Sequence, residues 1–234
     1  MTTALSVEQT KDMLCFVAHR MIEHKDYLGE VDSAIGDGDH GIGMSIGFSA
    51  ALGKLEGGTF STVNDLFKTT GMQMLSSMGG ASGVIFGSMF LGGVKGLQPS
   101  AELTAPLMAT IIDGSLTAIK TRGGASVGDK TMVDALEPAS SALGLAAQEG
   151  RDLEHAVAAA EVAASAGVES TKGFIAKYGR AKSLGDRAIG HPDPGAISVY
   201  LIFQSMGMWL GELQHETTGQ PGAIKDLEQG GQAS

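Results

Sequence analysis

The stretch Leu153-Glu-His-Ala-Val-Ala-Ala-Ala-Glu-Val-Ala-Ala-Ser-Ala-Gly-Val168 decides the fold class of this chain. Alanine is the strongest helix former, and it dominates the stretch. The apolar stripe recurs at helical spacing and consists of Val157, Ala160, Ala164 and Val168. This pattern predicts a helix that buries one face and runs to about Lys177.

Seven more segments have apolar residues at helical spacing. The first begins with a capping box at Ser6–Gln9 and is predicted to end near Leu28. The others are predicted at about 42–55, 62–77, 83–94, 104–121, 131–148 and 196–213. Pro138 is expected to kink or interrupt the helix at 131–148. Because no segment alternates like a strand, we predict an all-α single domain of eight helices at 1–215, followed by a disordered polar tail at 216–234.

Composition and charge narrow the expected partners and location. The chain has 234 residues, 43% of them hydrophobic and 5% aromatic, which suits one core of packed helices. Its net charge of −10 repels nucleic-acid phosphates and anionic lipid, so neither is expected as a general partner. The longest apolar run, Gly83–Val94, is too short to span a membrane. With Cys15 as the single cysteine and no signal-peptide pattern at the start, a cytoplasmic location is expected.

The segment Asp32-Ser-Ala-Ile-Gly-Asp-Gly-Asp-His-Gly41 places three carboxylates close together. Asp32, Asp37 and Asp39 repel one another and need a counterion, and hard oxygen ligands suit Mg²⁺ or Ca²⁺ better than Zn²⁺. An EF-hand is excluded, because Phe48 would stand where that loop needs its bidentate Glu. The segment therefore predicts a magnesium site completed by phosphate oxygens. The alternative is a solvated acidic turn that caps the next helix.

Two further glycine-rich loops could contact a phosphate or a base. Gly79–Gly83 opens an apolar helix whose free N–H groups could bind phosphate, although such turns are also common for structural reasons. Gly123–Met132 could line an apolar slot for a planar base. The alternative for this second loop is that Asp129 and Thr131 cap the following helix.

A fourth loop contains Gly179-Arg180 and His191-Pro-Asp-Pro-Gly195. Arg180 suits a phosphate through its forked donors, and the alternative is a surface ion pair. Asp193 has a structural interpretation, in which its side chain fixes the turn before Pro194. Elsewhere the sequence shows no P-loop, no zinc-ligand spacing and no Ser-His-Asp arrangement, and Cys15 is interpreted as a core residue.

Four motifs along the chain combine into one pattern. They are Ile35-Gly-Asp-Gly-Asp-His-Gly41, Met78-Gly-Gly-Ala-Ser-Gly83, Gly128-Asp-Lys-Thr-Met132 and Gly185-Asp-Arg-Ala-Ile-Gly-His-Pro-Asp-Pro-Gly-Ala196. In this order they resemble the L subunit of the dihydroxyacetone kinase family. The resemblance runs from about Leu5 to Leu213, and it is specific because four motifs agree in order.

The resemblance implies a barrel of eight antiparallel helices with a nucleotide, ADP or ATP, at one end. It implies two Mg²⁺ ions on the metal ligands Asp32, Asp37 and Asp39. The residues to which it gives catalytic roles are Asp32, Asp37, Asp39, His40 and Arg180. The residues to which it gives nucleotide contacts are His40, Gly41, Ile42, Gly43, Ala81, Ser82, Gly123, Met132, Arg180, Pro192, Asp193 and Pro194. The family commonly has Asn at the position of Gly43, so nucleotide affinity is the property affected here.

The resemblance also implies a partner. In the family, a separate K subunit holds a short ketose covalently through a histidine and presents its hydroxyl to the nucleotide. In the phosphotransferase-dependent branch, ADP stays bound and is rephosphorylated by a phosphohistidine protein of the phosphoenolpyruvate system. In the ATP-dependent branch, bound nucleotide exchanges with free ATP, and the K and L parts are usually fused in one chain. A separate L chain favours the first branch, and a homodimer is left open.

Three alternatives stay open at this point. The partner could present erythrulose or another short keto-sugar. The chain could be a nucleotide-sensing module that regulates a partner, such as a transcription factor, without turnover. It could also be a calcium-binding or purely structural helical protein.

Overall fold

The computed structural model describes residues 4–218, the last three of them by backbone alone, and these residues form nine α-helices. The helices are α1 (Val7–Glu23), α2 (Lys25–Ile35), α3 (His40–Glu56), α4 (Val63–Ser77), α5 (Gly80–Gly93), α6 (Ala105–Gly123), α7 (Val133–Gln148), α8 (Leu153–Thr171) and α9 (Pro194–Thr218). A 3-10 segment, Arg180–Ala188, lies between α8 and α9. Two short strands, β1 (Ala4–Ser6) and β2 (Glu102–Thr104), form an antiparallel pair.

Eight of these helices close into a ring. Helix α1 packs against α3, and each later helix packs against the next in chain order until α9 returns to α1. Most connections are short, so neighbouring helices run in opposite directions. The remaining helix, α2, contacts α3, α9 and the 3-10 segment. The predicted all-α barrel of eight antiparallel helices is therefore confirmed.

Aliphatic and methionine side chains fill the interior around a small group of aromatic rings. The ring of Phe90 lies 6.3 Å from that of Phe48 and 6.2 Å from that of Phe67, measured between centroids, and all three are buried. Glycine allows close approach of helices elsewhere, as at Gly71, where a methyl group would collide with the backbone of α5. The buried residues of all the barrel helices form one continuous core.

The first predicted helix is divided in two, because α1 ends at Glu23 with His24 as its C-cap. The backbone N–H of His24 donates to the carbonyl oxygen of Arg20 (3.1 Å), and Nδ1 of its ring lies 2.7 Å from the same oxygen. Helix α2 begins at Lys25, so Asp32 lies on this helix and not in the predicted loop. The division explains why residues 4–218 contain nine α-helices where eight were predicted.

Smaller differences concern the strands and the helix ends. The paired strands contradict the expectation that no strand is present. Helix α8 ends at Thr171 instead of Lys177, and α7 runs through Pro138 without interruption. Of the predicted tail, the first three residues continue α9, and 219–234 lie outside the described residues. No helix within 4–218 combines the length and the apolar character needed to cross a membrane.

Candidate functional site

The four glycine-rich loops lie at one end of the barrel. Since successive helices alternate in direction, every second connection reaches the same end. These are the α2–α3, α4–α5, α6–α7 and α8–α9 connections. Arg180 of the last pairs with Asp37 of the first, and Met132 of the third lies against Gly195 at the start of α9. Motifs that are far apart in the sequence therefore share one surface.

The three carboxylates converge at this end. One oxygen from each of Asp32, Asp37 and Asp39 lies within 4.8 Å of the other two. Asp32 is only 7% exposed and accepts the backbone N–H of His40 (3.2 Å), whereas Asp37 and Asp39 are exposed. One carboxylate is thus fixed and two face solvent, an arrangement that suits a cation keeping part of its hydration shell.

Glycines allow the acidic segment to lie close to α2. A methyl group at Gly36 would collide with the Asp32 carboxylate, and one at Gly41 would collide with the backbone of α2. Gly38 has φ +78°, in the left-handed region that favours glycine. These three glycines therefore let α3 pack on α2 while the acidic segment turns tightly between them.

Repulsion within the cluster is apparent at Asp39. Its pKa is raised by loss of hydration and by the charges of Asp37 and Asp32, while Arg180 lowers it. The guanidinium of Arg180 lies 2.9 Å from Oδ2 of Asp37, in a surface ion pair of the kind that contributes little stability. A divalent cation would relieve the same repulsion, so the donor set and its charge fit such an ion.

His40 begins α3 and is buried. Its Nε2 lies 2.8 Å from Oγ of Ser198 on α9, and that hydroxyl donates to the carbonyl oxygen of Pro194 (3.1 Å). The contact with Ser198 therefore fixes the orientation of the His40 ring. Burial lowers the pKa of His40, with Asp32 acting in the opposite direction. The result is a neutral imidazole held in one orientation.

The α4–α5 connection ends at a helix terminus that has no side-chain cap. Gly79 is the N-cap of α5 and offers no side chain to the N–H groups of the first turn. Gly80 has φ +67°, which favours glycine for the same reason as at Gly38. Ala81 and Ser82 follow, the first exposed and the second partly exposed. Their N–H groups, at the positive end of the helix, favour an anion such as phosphate.

Two buried carboxylates, Asp129 and Asp134, accept backbone hydrogen bonds from the α6–α7 loop. Asp134 accepts the N–H groups of Gly128 (2.6 Å) and Thr131 (2.7 Å). Asp129 accepts an N–H within the loop (2.8 Å) and pairs with Lys177 (2.6 Å). Asp129 therefore does not cap α7, whereas the hydroxyl of Thr131 does accept an N–H of its first turn (3.2 Å).

Several residues of the predicted nucleotide site surround these loops. Gly123 is the last residue of α6 and lies beside α5. Met132 is buried immediately before α7. In the first turn of α3, Ile42 is half-exposed and Gly43 faces the methyl group of Met78. All four predicted residues lie at the end of the barrel that carries the acidic cluster.

The start of α9 completes this end. Asp193 accepts the N–H of Ala196 (2.8 Å) and so caps the helix, whose first residue is Pro194. Burial raises the pKa of the Asp193 carboxyl to about 7. Pro192 precedes it and is partly exposed. Turn formation at Asp193 and ion pairing at Arg180 are therefore both observed, and neither excludes contact with a ligand.

Two cavities bear on the location of the site. One of about 180 Å³ is lined by Ile35, Gly36, Asp37, Arg180, Ser183 and Leu184. A larger groove of about 370 Å³ lies on the outside of the barrel and is lined by Glu161, Val162, Ser165, Ala166, Glu169 and Tyr200. The groove contains none of the predicted site residues, whereas the smaller cavity contains Asp37 and Arg180. We therefore place the candidate site beside the smaller cavity.

Sequence reasoning missed the residues that support the site. Ser198 fixes the ring of His40, and Asp134 fixes the α6–α7 loop. Lys130 is buried between that loop and the end of α8, a position that its motif does not reveal. Their charge is the one signal in the sequence that could have identified Lys130 and Asp134. Both lie beside the apolar start of a helix, where charged residues are rarely buried unless they are paired.

The fold and the site together define a class of protein: a closed barrel of helices with an acidic cluster, suited to a divalent cation, at one end. The family model described as the DAK2 domain matches residues 34–208. The chain belongs to the DAK2 domain family.

Curated relatives and solved structures match most of the chain. It is 38% identical over 187 residues to "PEP-dependent dihydroxyacetone kinase 1, ADP-binding subunit DhaL" of Listeria innocua, covering 80% of this chain and 88% of that protein. It is 37% identical over 183 residues to "PEP-dependent dihydroxyacetone kinase, ADP-binding subunit DhaL" of Escherichia coli K12, covering 78% and 87%. The structure of the dihydroxyacetone kinase from C. freundii in complex with AMP-PNP and Mg²⁺ matches with a TM-score of 0.67 and 25% identity, over 89% of this chain and 35% of that one.

Proposed function

We propose that this chain is the ADP- or ATP-binding subunit of a dihydroxyacetone kinase, a phosphotransferase that acts on an alcohol group. The observation that carries the proposal is the convergence of Asp32, Asp37 and Asp39 at the barrel end that also carries the uncapped start of α5. Two similar proteins are named as ADP-binding subunits of such kinases, and a similar structure holds AMP-PNP and Mg²⁺. A magnesium nucleotide is the ligand that suits both features.

The three carboxylates would hold magnesium, with two ions as the number implied by the family resemblance. Bound magnesium would neutralise the phosphate charge that a chain of net charge −10 otherwise repels. Asp32, fixed by the N–H of His40, would supply one immobile oxygen ligand. Asp37 and Asp39, both exposed, can adjust to the ion and to the phosphates.

The remaining groups at this end would bind and orient the nucleotide. The N–H groups at Ala81 and Ser82 would donate to phosphate oxygens at the positive end of α5. Arg180 would exchange its contact with Asp37 for a phosphate oxygen, which its exposure permits. His40, neutral and held by Ser198, would offer a hydrogen-bonding group of fixed direction.

The base and sugar would lie against the other loops. Gly123 and Met132 would line the apolar part of the site. Further contacts are proposed for the starts of α3 and α9, at Gly41, Ile42, Gly43, Pro192, Asp193 and Pro194. Phosphoryl transfer depends mainly on positioning and charge neutralisation, so this chain need not supply a general base if the sugar is activated by its partner.

The proposal includes partners. The sugar hydroxyl would be presented by a separate K-type subunit that holds dihydroxyacetone. Two of the relatives are named PEP-dependent, so a phosphohistidine protein of the phosphotransferase system is the proposed source of the phosphoryl group for bound ADP. A homodimer and a cytoplasmic location stay predictions.

Calorimetric titration with Mg-ADP tests the assignment of the carboxylates. Asp37→Asn should weaken Mg-ADP binding by at least about tenfold, because it removes one anionic ligand, while the helical circular dichroism stays unchanged. Asp26→Asn is the matched control, since Asp26 is an exposed carboxylate on α2 outside the cluster. Equal Mg-ADP affinity in wild type and Asp37→Asn would show that the metal assignment is wrong.

Reconstitution separates the proposal from its alternatives. Candidate K subunits with a panel of short ketoses should yield sugar phosphate, and the preferred ketose distinguishes dihydroxyacetone from erythrulose. A nucleotide-sensing module would bind Mg-ADP and give no product. A calcium-binding or structural protein would bind no nucleotide. ADP released on denaturing protein that was purified without added nucleotide would favour the phosphotransferase-dependent branch.

A further inference from the structure

Lys130 is a feature of the molecule to which the proposed function gives no role. Its side chain is 1% exposed, although lysine is rarely buried without partners. Its backbone has φ +57°, and within residues 4–218 it is the one residue other than glycine with a positive φ. Both features are unfavourable by themselves, so other interactions must compensate for them.

The ammonium group of Lys130 joins the two ends of the α8–α9 connection, residues 172–193. Nζ donates to the carbonyl oxygen of Thr171 (2.6 Å), which ends α8, and to that of His191 (2.5 Å), shortly before α9. The hydroxyl of Thr171 in turn accepts the N–H of Asp193 (2.9 Å). A buried group on the α6–α7 loop therefore closes the base of the next loop at the same end of the barrel.

Nearby charges favour this arrangement. Burial lowers the pKa of Lys130, and the carboxylates of Asp193 and Asp134 offset part of this effect. A cation at the carboxyl end of α8 also interacts favourably with the helix dipole. The same two carboxylates hold the α6–α7 loop and the start of α9, so Lys130 lies at the point where both loops are fixed.

We infer that Lys130 is a positioning residue for the nucleotide site. Through the carbonyl oxygens of Thr171 and His191, it holds the α8–α9 connection in the conformation that presents Arg180 and Asp193 at the barrel end. The expected effect on nucleotide binding rests on the proposed function. The expected effect on the connection itself does not, because it concerns only hydrogen bonds within this chain.

Lys130→Met tests the inference, because methionine keeps the apolar stem and the Cβ at this left-handed position while removing the ammonium group. Hydrogen exchange should become faster at the amides of Gly190 and Asp193 and stay at the wild-type rate in the core helices. The dissociation constant of Mg-ADP should rise by at least about tenfold, while binding of Mg²⁺ alone stays unchanged. Lys172→Met is the control, since the Lys172 ammonium pairs with Glu169 in the last turn of α8 and does not contact the carbonyl oxygens of Thr171 and His191 that Lys130 binds.

A merely structural role would give a different result. Exchange would then rise throughout the protein, or Mg-ADP affinity would stay at the wild-type value in the folded variant, and either result overturns the inference. If Lys130→Met does not fold, Lys130→Gln replaces it, since glutamine lacks the ammonium group, is shorter than lysine and keeps a polar end in the buried position. That variant should also loosen the connection and weaken Mg-ADP binding, and wild-type values for both would refute the inference. Failure of wild type to bind Mg-ADP would contradict the proposed function, and the exchange comparison would still decide the role of Lys130.

Discussion

Asp193 is subject to two opposing effects on its pKa. Its carboxylate caps α9, which favours the charged form, whereas burial favours the neutral form and raises the pKa from 3.8 to about 7. Between these two values the folded state holds a proton that the unfolded state has released. The contribution of this group to the stability of the fold therefore decreases as the pH rises from about 4 to about 7, and is constant above that range.

Asp193→Asn removes this titration and keeps an oxygen that can cap α9. The difference in melting temperature, wild type minus variant, should therefore decrease between about pH 4 and about pH 7. Scanning calorimetry of both proteins across this range measures it, with Asp113→Asn, an exposed carboxylate on α6, as the control. A difference that does not change with pH would mean that Asp193 is ionised throughout and acts only as a cap.

Gly43 offers a second test at the residue scale, because the related family commonly has Asn there. A methyl group at Gly43 would meet only the terminal carbon of Met78, at 3.8 Å, so a larger side chain can be accommodated. Gly43→Asn should tighten Mg-ADP binding by roughly three- to tenfold, the value of about one hydrogen bond. Gly43→Ala is the control, since it gives the gain in helix stability, about 0.5–1 kcal/mol, without an amide. Equal affinities for the Asn and Ala variants would exclude an amide contact at this position.

At the scale of helices, α7 packs closely on α8 beside Pro138. Proline has no N–H, so the carbonyl oxygen of Asp134, four residues earlier, lacks its usual partner in the helix. Gly167 of α8 lies directly against this oxygen, where a side chain would collide with it. The carbonyl oxygen that Pro138 leaves without a helical partner is therefore the one against which Gly167 packs, and α7 stays helical through the proline.

Gly167→Ala should destabilise the protein for this reason. The collision should cost more than the roughly 1 kcal/mol that alanine adds to helix stability, giving a net loss of about 1–2 kcal/mol. Gly144→Ala in α7 is the matched control, because nothing lies within 4 Å of a methyl group there, and it should stabilise the fold. Urea unfolding of the three proteins measures both effects, and stabilisation by both substitutions would show that α7 and α8 can separate at little cost.

Helix propensity and period predicted the barrel helices, but not the junction between α1 and α2. Apolar residues continue at helical spacing across His24, so the pattern does not show the end of α1, where the His24 backbone leaves the helical conformation and its ring Nδ1 lies 2.7 Å from the carbonyl oxygen of Arg20. As a consequence, Asp32 was placed in a loop instead of on α2. The extra length predicted for α8 has a similar cause, since a helix end depends on tertiary contacts as well as on propensity.

At the scale of the whole molecule, the sequence specified the candidate site better than it specified the helix ends. Alternation of helix direction brings every second loop to the same end, so the four glycine-rich loops gather Asp37, Met132, Arg180 and Asp193. The supporting groups could not be predicted in the same way. Lys130 contacts His191, and Ser198 contacts His40. In both pairs the two residues are far apart in the sequence. These contacts exist only after the ring has closed.

The acidic cluster and the four glycine-rich loops lie at one end of the barrel, and the other connections lie at the opposite end. This arrangement gives a prediction for ligand binding. Mg-ADP should slow hydrogen exchange in the loops and first turns at the acidic end, within 36–43, 79–83, 124–132 and 190–196, because these segments would contact the nucleotide or its cations. The connections at the other end, 57–62, 94–104 and 149–152, should exchange at the same rate with and without ligand. Exchange followed by mass spectrometry on the wild type and on Asp37→Asn measures both sets, and the variant should lose the protection. Protection in the groove between α8 and α9 instead would place the nucleotide on the outside of the barrel and would refute the proposed site.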